Sequence, residues 1–165
     1  MELINKVAQK NIVTLDLETF YPKADEICYF DLKLYLFKEM ILKEGEFRDA
    51  LKQIDWKTYT NKHVVVFCSN RAIIPMWAYM LVTAYLSENA AEVYPQSDKI
   101  EEEIVLRRIQ KMSTENYTEE RLIIKGCGDK NLSSRVYLSI TQKLQPITKS
   151  IMYGEACSTV PIYKK

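Results

Sequence analysis

The sequence is poor in the residues that most often declare an activity, with one histidine, four glycines and five prolines in 165 residues. So few glycines leave no P-loop and no dinucleotide-binding glycine string, and no nucleotide cofactor is expected. The lone His63 opens a short apolar run that ends just before Cys68. In extended chain the two stand roughly 16 Å apart, which disfavours a Cys-His hydrolase and makes His63 a surface or edge residue. No stretch approaches the about eighteen apolar residues that span a bilayer, and the Met1–Lys6 start lacks the apolar core of a secretory leader. Neither sign of charge is in excess, with 23 Lys and Arg against 22 Asp and Glu. That balance gives no electrostatic basis for binding nucleic acid or anionic lipid. The expectation is a cytoplasmic protein with neither nucleic acid nor membrane as partner.

What remains is ordinary for a folded chain, at 47% hydrophobic and 27% charged residues, and its length suits a single domain. The sequence repeats itself. Residues 47–96 line up with residues 105–154 at an offset of 58, Tyr59 falling on Tyr117 and Leu86 on Leu144, and a one-residue adjustment sets Cys68 opposite Cys127. Each copy carries an amphipathic helix (Phe47, Leu51, Ile54; Val105, Ile109, Met112), an apolar strand (63–67; 121–125), a longer helix and a short strand. The strands are β-branched runs of the kind buried in a parallel sheet. The order predicts an α/β fold whose mostly parallel central sheet is one sheet built from two helix-strand-helix-strand pseudo-repeats. Residues 11–17 and 26–32 alternate like half-exposed strands around Tyr21-Pro22, so residues 1–46 are expected to supply an N-terminal β-hairpin at one edge. Residues 155–165 form a C-terminal tail that docks extended against the body.

In a reducing compartment four cysteines are better read as buried hydrophobes, reactive thiols or metal ligands than as disulfides. Cys68, Cys127 and Cys157 each follow a strand of the repeat, and parallel strands would bring all three to the carboxyl edge where α/β sheets take their ligands. Three thiolates there could hold zinc, iron or an iron–sulfur cluster, with Glu155 or Asp129 near the fourth position. The spacing matches no standard metal-binding string, and free cysteine also packs well where strand meets helix. Cys28 has no counterpart in the repeat and is assigned to the core. The cysteine-phosphatase loop needs Arg six residues after the cysteine, where Ile74 and Ser133 stand. Glu101-Glu102-Glu103 followed by Arg107-Arg108 is a solvated helix face with charges in favourable order. The tyrosines pack with their hydroxyls at the rim.

Several segments, namely residues 1–8, Thr14–Glu18, Ile73–Met80 and the ending Lys149–Lys165, resemble the bacterial domain-of-unknown-function family twenty-four eighty, and the resemblance spans the whole chain. It brings no established activity. Through the association of such genes with the sulfur-mobilisation system, it implies a cytoplasmic accessory with iron–sulfur assembly proteins as partners. Three readings therefore stand. The first is a thiolate metal-site or iron–sulfur cluster assembly accessory. The second is a non-enzymatic protein-interaction module with structural cysteines. The weakest is an enzyme with a single activated cysteine, because no base is positioned to serve it.

Overall fold

The structure, a computed structural model, describes residues 12–126 and 128–165. It is α/β with mostly parallel strands, as the sequence pattern predicts. The chain divides into two compact units. One joins the N-terminal segment up to Tyr21 to Glu101–Lys165; the other, Pro22–Ile100, is inserted between these pieces.

The first unit opens with β1 (Ile12–Asp16), and the inserted unit then runs β2 (Ile27–Asp31), α1 (Glu44–Lys52), β3 (His63–Phe67), α2 (Met76–Leu86) and β4 (Glu92–Pro95). Its sheet has the order β2-β3-β4, all parallel. Val64, Val65 and Val66 are all buried, the continuous apolar run that the inner strand of a parallel sheet carries. Phe47 and Leu51 of α1 and Ala78, Val82 and Leu86 of α2 pack on Val64 and Val66, following the helical repeat.

The remainder of the first unit is α3 (Ile100–Lys111), β5 (Arg121–Lys125), α4 (Ser134–Leu144), β6 (Ser150–Glu155) and β7 (Ser158–Lys164). Its sheet has the order β1-β5-β6-β7, parallel except for the antiparallel β6-β7 hairpin. The C-terminal tail is therefore a strand. Its Pro161 sits opposite Met152 beside a bulge on the edge strand, where a missing N–H is tolerated. Gly154 takes φ +123° at this hairpin, and a Cβ there would run into the Ser158 carbonyl oxygen.

Two expectations are corrected. The chain builds two sheets, not one, and β1 and β2 do not form a hairpin: β1 pairs with β5 and β2 with β3. The reason is local. Asp16 and Asp31 end their strands by accepting hydrogen bonds from the backbone N–H two residues on, at 2.9 Å in each case. Each thereby caps a 3-10 turn instead of a tight two-residue loop, and the next residue, Leu17 or Leu32, plugs a different core. Arg108 on α3 fixes the exit of the first turn, donating to the carbonyls of Phe20 (3.2 Å) and Tyr21 (3.1 Å).

Backbone detail recurs at matching places. Asn61 and Glu119, each two residues before a central strand, adopt φ of 60° and 59°. Their N–H groups donate to the carbonyls of Asn89 (3.0 Å) and Ile147 (2.8 Å). One position breaks the likeness: Thr148 is buried with its hydroxyl lacking a partner, where the inserted unit has Ala90. A buried unpaired hydroxyl costs about 1–3 kcal/mol. Thr148→Val keeps the shape and removes the unpaired oxygen, so it is expected to raise the urea midpoint without changing the slope. An unchanged or lowered midpoint would mean that the hydroxyl is satisfied.

Candidate functional site

The carboxyl ends of parallel strands are the natural ligand edge of an α/β unit, and each unit has one. In the inserted unit, Asp31 closes β2 and its Oδ1 also accepts from the Ser69 N–H (3.0 Å), tying down the loop after β3. Burial pushes the Asp31 carboxyl up, but hydrogen bonds from Ser69 and the Lys33 N–H, with the Lys33 charge, outweigh it and hold the group below the ordinary aspartate range. Cys68 leaves β3 half-buried, and its thiol donates to Asn70 Oδ1 at 3.0 Å. That oxygen accepts the Ala72 N–H as well (2.9 Å), while Asn70 Nδ2 donates to the Glu39 carbonyl (2.6 Å). Asn70 thus clamps residues 68–72 to the loop carrying Glu39. Above it opens a cavity of about 580 Å³ lined by Val66, Cys68, Ala72, Met76, Tyr79 and Val93, among others. Burial and the neighbouring Cys68 raise the Tyr79 phenol above its ordinary pKa, so it stays a protonated donor.

In the other unit, Glu18 Oε1 accepts the Lys130 N–H (3.0 Å) and restrains the loop after β5. Lys125 at the end of β5 stands 4.0 Å from Asp16 and 3.4 Å from Glu155. A smaller cavity of about 320 Å³ is lined by Ile124, Tyr137, Thr141, Met152, Tyr153 and Ile162. Here the tyrosine is engaged, Tyr137 Oη donating to the Gly126 carbonyl at 3.0 Å. A Cβ on Gly126 would fall on that hydroxyl, so the bond requires glycine.

The three cysteines expected at one edge are distributed otherwise. Cys68 follows β3 in one sheet, whereas Cys157 sits exposed in the β6-β7 turn of the other. Cys127 lies outside the described residues. Glu155 is engaged with Lys125, and Asp129 is exposed. Among the described residues no group of three or more His, Cys, Asp or Glu side chains is placed to hold a metal. Cys28 is half-buried on β2 against the inserted unit's core. His63 is not a surface residue: only 7% exposed, it lies with Nδ1 3.4 Å from the Tyr94 hydroxyl at the far end of β3 from Cys68. The strand starts fall 58 residues apart, at His63 and Arg121, and the second helices do likewise, at Met76 and Ser134. Without an intervening shift, Cys68 corresponds to Gly126 and not to Cys127. Tyr79 and Asn70 were missed as site residues, and only that uninterrupted register, setting Tyr79 against Tyr137, signals the first of them.

The inserted unit also carries an apolar face. Ile73 is 92% exposed, Met80 72%, Met76 69% and Met40 68%. Met40, Ala72 and Ile73 line one small cavity, joining the two loops that Asn70 clamps. Helix α2 contains no charged residue, whereas α4 has Arg135 and Lys143. A helix that is apolar all round is normally covered on every side. Among the described residues no helix is long and apolar enough to cross a membrane.

A family model described as "Protein of unknown function (DUF2480)" matches residues 1–165, the whole chain. No curated protein and no solved structure matches it.

Two outcomes follow from the site geometry. Gly126→Ala is expected to cost about 1–3 kcal/mol in urea unfolding, because the new methyl displaces the Tyr137 hydroxyl from its acceptor; a neutral result would show that the tyrosine finds another seat. The folded-state pKa of Asp31 lies below its unfolded value of about 3.9. Its stabilisation is therefore complete above the unfolded value and is lost as pH falls through the folded one. The gap in urea midpoint between wild type and Asp31→Asn should be widest near neutral pH and close below about pH 4. A gap independent of pH would remove the role given to the carboxylate.

Proposed function

The chain belongs to the DUF2480 family of proteins of unknown function, a membership that supplies no activity, and we propose that it is a non-enzymatic protein-interaction module that pairs with a second copy of itself. The observation that carries this reading is the apolar face around Met40, Ile73, Met76 and Met80. Apolar patches beyond roughly 300–600 Å² mark interaction surfaces, and a standard interface takes roughly 800 Å² from each partner. Four large side chains, each more than two-thirds exposed, supply several hundred Å², roughly the range of such patches. Three of them are methionines, whose flexible side chains adapt to a facing surface.

The rim favours self-pairing over a partner of one charge. Glu39 and Arg71 line the same small cavity as Met40 and Ile73, so both signs are present on the margin. A two-fold contact sets each patch against its own copy, and a mixed rim can complement itself where a single-sign rim would repel.

The alternative places zinc, iron or an iron–sulfur cluster on Cys68, Cys127 and Cys157, with iron–sulfur assembly proteins as partners. It draws its support from the cysteine pattern alone: Cys68 and Cys157 belong to different sheets, and the Cys68 thiol is already engaged with Asn70. The free thiols of Cys28, Cys68 and Cys157 suit a reducing compartment and support a cytoplasmic location.

Sedimentation equilibrium over a wide concentration range tests the module. Wild type should fit a monomer–dimer equilibrium, and Met80→Lys, on the exposed face of α2, should weaken it at least tenfold while leaving the urea midpoint within the range of surface changes. A wild-type chain that stays monomeric at high concentration, or a variant that dimerises as well as wild type, would overturn it.

A further inference from the structure

We infer that the larger cavity is a binding site for a small, neutral, mostly apolar molecule bearing a hydrogen-bond acceptor oxygen, and that the side chain of residue 68 is what keeps the site open. The cavity shares Met76 with the self-pairing face but is inferred from separate observations, its own lining and the two matching tyrosines.

The inference rests on comparing two matching places in one chain. Each unit has a tyrosine on the first turn and a half of its second helix, at Tyr79 and Tyr137, beneath a cavity at the carboxyl end of its sheet. Tyr137 is anchored on the Gly126 carbonyl, and the seat exists only because residue 126 has no Cβ. The corresponding residue in the inserted unit is Cys68, whose Cβ occupies that seat. No such bond is made by Tyr79: its hydroxyl has no protein acceptor among the described residues and is open to solvent in the cavity. The cavity beside it is about 580 Å³ against about 320 Å³ in the other unit. Its volume and position are those of small-molecule sites in α/β units.

The lining sets the ligand's chemistry. Val66, Ala72, Met76 and Val93 give an apolar wall, Asn70, Tyr79, Thr83 and Gln96 add polar but uncharged groups, and the described lining residues include no Asp, Glu, Lys or Arg. A charged ligand would lose its hydration with no counter-charge in return. The Tyr79 O–H is a solvent-accessible donor that the protein itself does not use, so a ligand oxygen can replace water on it. Asn70 Oδ1 is already taken by the Cys68 thiol and the Ala72 N–H, so the thiol is committed to holding the loop. A ketone, amide or phenol oxygen on an aromatic or branched body fits these terms.

The test uses acetophenone and benzamide as neutral probes and benzoate as the charged control, followed by two-dimensional amide NMR of the full chain. The neutral probes are expected to bind with about millimolar Kd, shifting amides of residues 66–72 and 76–83, with benzoate at least tenfold weaker. Cys68→Ala retains the Cβ and should bind like wild type. Cys68→Gly opens the backbone seat, lets Tyr79 close onto the residue-68 carbonyl, and should lose binding at least tenfold while keeping a dispersed, folded spectrum. Tyr79→Phe keeps the cavity and should weaken the carbonyl probes several-fold. The inference is overturned if no neutral probe shifts the cavity amides, if benzoate binds as well, or if Cys68→Gly binds as tightly as Cys68→Ala. Should Cys68→Gly fail to fold, the Tyr79→Phe comparison decides: equal affinity for acetophenone with and without the hydroxyl overturns the site.

Discussion

Each unit depends on one strand being apolar on both faces. Val64–Val66 and Leu122–Ile124 are buried at the centre of their sheets, and a strand with no polar face cannot rest until both its sides are covered. The helices next to it in sequence cover one of those faces, packing Ala78, Val82 and Leu86 with Val64 and Val66 in one case and Val136, Ile140 and Leu144 with Leu122 and Ile124 in the other. That requirement leaves the carboxyl edge as the place where backbone ends and loops begin. The chemistry-bearing groups collect there because the core has no room for them.

These central strands were legible in the sequence to the residue, since a short β-branched run bounded by turn residues has few other uses. The two N-terminal strands were legible as strands but not in their pairing. Alternation tells which side of Ile12–Asp16 is buried, and says nothing about which strand lies beside it. What decided the matter was Asp16 and Asp31, whose carboxylates turn the chain into 3-10 geometry. The number of sheets was hidden for a similar reason: a repeated pattern is compatible with two copies in one sheet or with one sheet for each copy. Cys68 was legible as a strand-end residue. The state of Tyr79 was not, because it depends on what is missing from the matching place, a Cβ at Gly126, and a one-residue shift in the alignment had set Cys68 against a different partner.

The two edges show how little sequence change separates a closed place from an open one. Backbone and tyrosine are kept, and a glycine in one copy stands where a cysteine stands in the other. A single carbon decides whether the phenol is spent internally. The cysteine, so often read for its sulfur, matters here first as bulk, and its thiol serves to brace the loop through Asn70.

The path of the chain has a consequence for how the molecule is made. Pro22–Ile100 is continuous and complete in itself, so a ribosome delivers all its strands in one stretch and it can fold while synthesis continues. Strand β1, made before the insert, belongs elsewhere and must wait for β5. Until then its backbone groups and the side chains of Leu15 and Leu17 lie uncovered by their eventual neighbours. An early-folding insert between the two halves shortens the wait in space if not in time: it replaces a long floppy tether with a compact one, and so limits the loop-closure entropy of bringing β1 home.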